Sequence, residues 1–118
     1  MSLQIYALKK NFAVQKAERF FKERRVQAQF VDLKKHKLGL RELQLFARTA
    51  GGARNLVDRE NINALSHPVA HTDNEDVILE YLMEKPEFLR TPIVRDGQRV
   101  AIGEDLALWM KLAEAQNK

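Results

Sequence analysis

The chain has 118 residues, with 20 Lys+Arg against 16 Asp+Glu for a formal net charge of +4, and no cysteine. That length suits one domain with a core of its own, and the lack of thiols excludes disulfides, thiol catalysis and thiolate-held metal. The charge is uneven: residues 1–59 carry 14 Lys+Arg against 5 Asp+Glu, a balance of +9, and residues 60–118 carry 6 against 11, a balance of −5.

Ile5-Tyr6-Ala7-Leu8 is a short apolar run of the kind found in a central strand covered on both faces. The turn Lys9-Lys10-Asn11-Phe12 follows it. Over residues 12–25 the apolar positions Ala13, Val14, Ala17, Phe20 and Phe21 fall on one stripe of a helix, leaving Lys16, Arg19, Lys22 and Arg25 largely off it. Residues 27–33 read as a second strand through Ala28, Phe30, Val31 and Leu33, which completes a βαβ unit. Leu40, Leu43, Phe46, Ala47 and Ala50 then recur at helical spacing, and Gly51-Gly52 ends that helix.

A short helix is expected over residues 59–65, broken by Ser66-His67-Pro68. Thr72-Asp73-Asn74-Glu75 has the form of a capping box, opening a helix with Val77, Ile78, Tyr81 and Leu82 inward and Pro86 past its end. Residues 91–95 and 99–102 flank Asp96-Gly97-Gln98 as a β-hairpin with positive φ at Gly97 or its neighbour. The closing helix starts near Gly103, with Glu104 and Asp105 at its positive end and Leu106, Trp109, Met110 and Ala113 along one face. No repeat, low-complexity tract or linker interrupts this order.

The order β-α-β, helices, β-β-α resembles the thioredoxin fold, and its helical block resembles that of the arsenate reductase/Spx family. Three segments carry the likeness. Ile5-Tyr6 with Lys16-Ala17 is similar to the family's opening; Glu84-Lys85-Pro86 with Leu89-Arg90-Thr91-Pro92-Ile93-Val94 is similar to the stretch leading into its third strand. Asp96-Gly97 with Val100-Ala101-Ile102-Gly103 is similar to its hairpin and the start of its last helix. The resemblance implies an α/β, thioredoxin-like four-stranded mixed sheet. It implies one domain over 1–118, with a helical insertion at about 38–88, and a cis Pro92 opposite the catalytic turn.

The departures bear on function. By resemblance the family's catalytic cysteine falls on Asn11 and the second cysteine of a C-x-x-C version on Val14. Two arginines of arsenate-reducing members fall on Thr91 and Glu104, with Arg59 nearest to a third. No catalytic residue is therefore assigned. Asn11 reads first as a helix N-cap; an amide that binds a ligand is the sharper alternative, and Lys9, Lys10, Asn11, Thr91 and Pro92 form the candidate ligand cleft for a small anion or glutathione. Lys16, Arg19, Lys22 and Arg25 form the candidate partner face, suited to an acidic protein.

The remaining candidates are weaker. His67 and His71 are separated by Pro68, so no metal site is expected. Arg54, Arg59 and Glu60 read as surface ion pairing, and Trp109 as core. No aromatic residues interleave with Lys34-Lys35-His36-Lys37, which disfavours nucleic acid. The first residues lack a signal peptide's apolar run and no stretch would span a bilayer, so a cytoplasmic protein without cofactor or membrane contact is expected. The sequence thus points to a redox-inactive arsenate-reductase/Spx-like protein, a protein-binding or regulatory module. The family's Spx-like members contact RNA polymerase, which makes protein contact a credible use of the scaffold. The alternative is an arsenate-reductase- or glutathione-linked oxidoreductase relative that keeps a small-ligand cleft; the missing nucleophile argues against it.

Overall fold

The computed structural model describes residues 3–8 and 11–116; Lys9 and Lys10 lie outside the described residues. The chain divides into two compact units, one made of Met1–His36 and Thr91–Lys118 and the other of Lys37–Arg90.

The first unit holds one sheet. Its strands are β1 (Leu3–Ala7), β2 (Ala28–Asp32), β3 (Ile93–Asp96) and β4 (Arg99–Ile102), in the order β2-β1-β3-β4. Leu3, Ile5, Tyr6 and Ala7 are all buried, because β1 is flanked on both sides: parallel to β2 with Leu3 opposite Ala28, antiparallel to β3 with Ile5 opposite Val94. The strand begins earlier and ends one residue sooner than its apolar run suggests. β4 returns antiparallel to β3, Asp96 facing Arg99, across a turn in which Gly97 takes φ +62°. This is the mixed four-stranded sheet that the resemblance implies.

Helix α1 (Phe12–Glu23) buries Val14, Ala17 and Phe21, the heart of the predicted stripe. Helix α5 (Leu106–Gln116) departs from expectation. Leu106 and Met110 are exposed, and the buried face is Trp109, Leu112 and Ala113. Asp105 starts this helix, its carboxylate accepting from Leu108 N–H at 3.1 Å and its carbonyl from Trp109 N–H at 2.9 Å. The packing decides which stripe wins: the Trp109 ring lies 5.6 Å from Phe20 and 6.2 Å from Phe21, centroid to centroid.

The second unit is helical. It contains α2 (Leu40–Ala50), α3 (Ile62–Leu65) and α4 (Glu75–Glu84), with 3-10 turns at Ala53–Leu56, Pro68–Ala70 and Pro86–Phe88. Leu43, Phe46, Leu56, Ile78 and Leu82 are among its fully buried side chains, whereas Leu40 is exposed and Leu38, one turn's end earlier, is buried. Gly51 closes α2 at φ +84°, a left-handed position that glycine takes without steric cost. α3 starts later than predicted because Asn61 caps it, its side-chain oxygen accepting from Asn63 N–H at 2.9 Å.

The capping box predicted at residues 72–75 is replaced by a different cap. Asn74 accepts from Asp76 N–H at 3.1 Å and Val77 N–H at 3.3 Å, while Thr72 Oγ1 accepts from Asn74 N–H at 3.2 Å. Both oxygens of Glu75 are thereby left to accept from Ala53 N–H at 3.0 Å. Asparagine caps as well as threonine, and Glu75 gains a donor that no local pattern could supply.

Candidate functional site

Asn11 stands at the start of α1 with φ −81° and ψ −176°, and its Oδ1 accepts from Val14 N–H at 2.9 Å. Extended backbone at the cap and a short side-chain acceptor are what satisfies the free N–H groups of a first helical turn. The amide is exposed, yet its oxygen is engaged with the helix. Phe12 beside it is 92% exposed, the most exposed large apolar side chain among the described residues.

Thr91-Pro92 has the cis peptide bond that the resemblance implies. Pro92 is buried, and its carbonyl accepts from Gly103 N–H at 2.9 Å. Tyr6 of β1 faces Ile93 of β3 in antiparallel register. Carried on in that register, Pro92 comes opposite Ala7, the last residue of β1, and Thr91 opposite Leu8. Of the five candidate cleft residues, the register places Thr91 and Pro92, and Asn11 is placed separately as the cap of α1. Lys9 and Lys10 lie outside the described residues.

The candidate partner face divides. Lys16 Nζ lies 3.2 Å from Glu104, a half-exposed ion pair that ties α1 to the residue before the α5 cap. Glu104, at one of the family's arginine positions by resemblance, is thus neutralised locally. Arg19, Lys22 and Arg25 are exposed, and no ion pair engages them among the described residues. Arg24, which the apolar stripe does not single out, donates to the Phe20 carbonyl at 3.0 Å and places its guanidinium 3.7 Å from the Phe20 ring centroid. No periodic signal marks it.

The other candidates are structural. His67 Nδ1 accepts from Val69 N–H at 3.1 Å, and its ring packs against Tyr81 and Phe88. His71 Nε2 lies 2.6 Å from the Leu65 carbonyl. No group of three or more potential metal ligands occurs among the described residues. Arg54 pairs with Asp73 at 3.2 Å rather than with Glu60, and Arg59 donates weakly to the Ala70 carbonyl at 3.4 Å. Trp109 is fully buried, as expected for core, but its Nε1 has no hydrogen-bond partner among the described residues. No helix among the described residues is long and apolar enough to cross a membrane.

No protein-family model matches the chain, and no curated protein does. Solved structures do. An arsenate reductase (ArsC) related protein from Brucella melitensis superposes with TM-score 0.71 at 20% identity, covering 94% of this chain and 93% of that one. An arsenate reductase from Vibrio cholerae superposes with TM-score 0.76 at 15% identity, covering 99% and 96%. The YffB protein gives 0.79 at 18% identity over 98% and 99%. The chain has the arsenate-reductase-like thioredoxin fold over nearly its whole length and contains no cysteine.

Proposed function

We propose that this chain is an arsenate-reductase/Spx-like protein without redox chemistry that serves in the cytoplasm as a protein-binding or regulatory module. The observation that carries the reading is the state of Asn11. Its side-chain oxygen caps α1, and an asparagine amide supplies no nucleophile at neutral pH. The fold likeness supports the family; the occupant of the turn argues against the activity. An arsenate dianion needs several cations around it, and the two positions equivalent by resemblance hold Thr91 and Glu104. Glu104 is itself an acid, held by Lys16.

Binding is supported by what α1 leaves outside. Arg19 and Lys22 are exposed cations on a helix whose inner face is committed to the core, and Arg25, just past its end, is exposed as well. Charges so placed steer and hold an acidic protein surface, in a salt-dependent way. The test has two arms. Purified protein is expected to reduce neither arsenate nor a model disulfide above a no-protein control. Capture of partners from lysate is expected to weaken at high salt and in Arg19→Glu. Turnover that survives removal of contaminating reductases overturns the redox-inactive half. A partner retained equally by parent and variant at both salt concentrations overturns the binding half.

A further inference from the structure

The chain leaves α1 by an unusual exit. Arg25 has φ +57°, the one positive value among the described residues other than glycine. Its N–H donates to the Lys22 carbonyl at 3.0 Å, and Val26 N–H reaches back to the Phe21 carbonyl at 2.9 Å. These are the two bonds of a Schellman ending, in which glycine is the usual left-handed residue. Val26 and Phe21 both belong to the buried cluster of this unit, so the apolar contact typical of that motif holds the turn closed. An arginine stands where glycine would fit best, and its side chain reaches solvent.

That arginine lines an open cleft of about 370 Å³ together with Glu18, Lys22, Val26, Gln27 and Ala28. The cleft lies where α1 ends and β2 begins, and β2 is the terminal strand of the sheet. Leu3 N–H donates to the Gln27 carbonyl and Leu33 N–H to the Ala7 carbonyl. In a parallel ladder the residues that bond the neighbouring strand alternate. Gln27 and Gln29 therefore face β1, and the peptide groups of Ala28 face outward, beside the cleft.

We infer that this cleft receives an extended acidic segment of a partner protein, which adds its backbone to the outer edge of β2 at Ala28 and sets a carboxylate between Lys22 and Arg25. The inference rests on the reading of α1 as a face for an acidic partner and names the form that partner takes. An outward peptide edge selects an extended backbone, and two cations without an ion pair among the described residues select acid side chains. Glu18 on the same wall limits how much negative charge the cleft accepts. A second copy of this chain is a poor occupant. Antiparallel pairing of two β2 edges would bring Lys22 and Arg25 of one copy toward Lys34 and Lys35 of the other, like charge against like.

The probe is a fluorescein-labelled peptide of alternating glutamate and valine, read by fluorescence anisotropy at low salt. Arg25→Gly is the central variant because glycine accepts the observed φ. It is expected to raise thermal stability while weakening the peptide by about tenfold or more, the scale of one charge-assisted contact. Ala28→Pro removes an outward N–H at the first residue of an edge strand, where proline is tolerated, and is expected to weaken binding similarly. Glu18→Gln is expected to tighten it, and a lysine-valine peptide to bind none of these proteins. Equal binding by the parent, Arg25→Gly and Ala28→Pro overturns the inference; so does a dimer in sedimentation that Ala28→Pro dissolves. If Arg19→Glu still weakens lysate capture in that event, the acidic-partner reading stands and only the cleft falls.

Discussion

The two units of this chain are stabilised by different means. The unit built on the sheet relies on backbone ladders and apolar burial: β1 is paired on both sides, and Phe21, Trp109, Val94 and Ala101 share one buried cluster. The Lys37–Arg90 unit also buries leucines and phenylalanines, but its chain reverses direction through three short 3-10 turns. Those turns are stitched by polar side chains on backbone groups. Glu75 accepts from Ala53 N–H, Asn55 donates to the Ala50 carbonyl, Asn61 to the Glu87 carbonyl and Arg90 to the Asn55 carbonyl. A buried or half-buried peptide group must find a partner. At part-buried Ala53 N–H, where no ladder provides one, the Glu75 carboxylate does, and it becomes a point where one substitution opens the structure.

The largest effect should come from the apolar side of that contrast. Trp109→Ala is expected to lower unfolding stability by about 3–5 kcal/mol in chemical denaturation, the range for removing a large buried aromatic. Trp109→Phe tests the cause. Because the indole N–H has no partner among the described residues, its removal relieves a buried donor and offsets part of the lost area, so the loss should fall well below that of alanine. Equal losses for the two variants would mean that the indole N–H matters and that burial alone does not explain this core.

On the polar side, Glu75→Ala is expected to cost about 1.5 kcal/mol, the low end for hydrogen bonds to a charged group, since Glu75 is exposed. Its signature is local: faster hydrogen exchange at Ala53 and Asn55. Unchanged exchange there would break the idea that single side chains hold these turns. Asn11→Ala should cost about 1 kcal/mol and Asn11→Asp almost nothing, as for other helix N-caps. Asn11→Cys adds a chemical readout at the same position. A thiol at a helix start should titrate below the reference value of about 8.5, and an unshifted one would show that the helix start exerts no pull there.

This contrast also explains what could be read from the sequence. Val14, Ala17 and Phe21 announce α1 because burial repeats with the helix period, and Asp96-Gly97-Gln98 announces its hairpin because turn chemistry is local. The same logic gave Asn11 as a cap. It failed for α5, where Leu106 and Met110 are as apolar as the residues that are buried; only packing against Phe20 and Phe21 favours Trp109, Leu112 and Ala113. It also failed at residues 72–75, because the donor that takes Glu75 is 22 positions away in sequence. The positive φ at Arg25 had no signal at all, since the usual mark of such an ending is a glycine. Lys16 with Glu104 is a pair of the same kind, two residues whose meeting is set by tertiary structure.

That pair supplies the smallest expected effect and the sharpest check on how exposed charges behave here. Lys16 and Glu104 approach to 3.2 Å, with side chains 51% and 45% exposed. Water screens such a contact and ordering two long side chains opposes it, so a double-mutant cycle of Lys16→Met and Glu104→Gln should give a coupling of about 0–1 kcal/mol that declines with salt. The two single variants should not be equal. Glu104 precedes the Asp105 cap of α5, where the helix dipole favours an acid even without a lysine, whereas Lys16 sits mid-helix and has only its partner. Glu104→Gln is therefore expected to cost slightly more than Lys16→Met. A coupling well above 1 kcal/mol, or one indifferent to salt, would mean that the pair is shielded from water. Lys16 would then belong with the structural stitches rather than with the cations of the outer face.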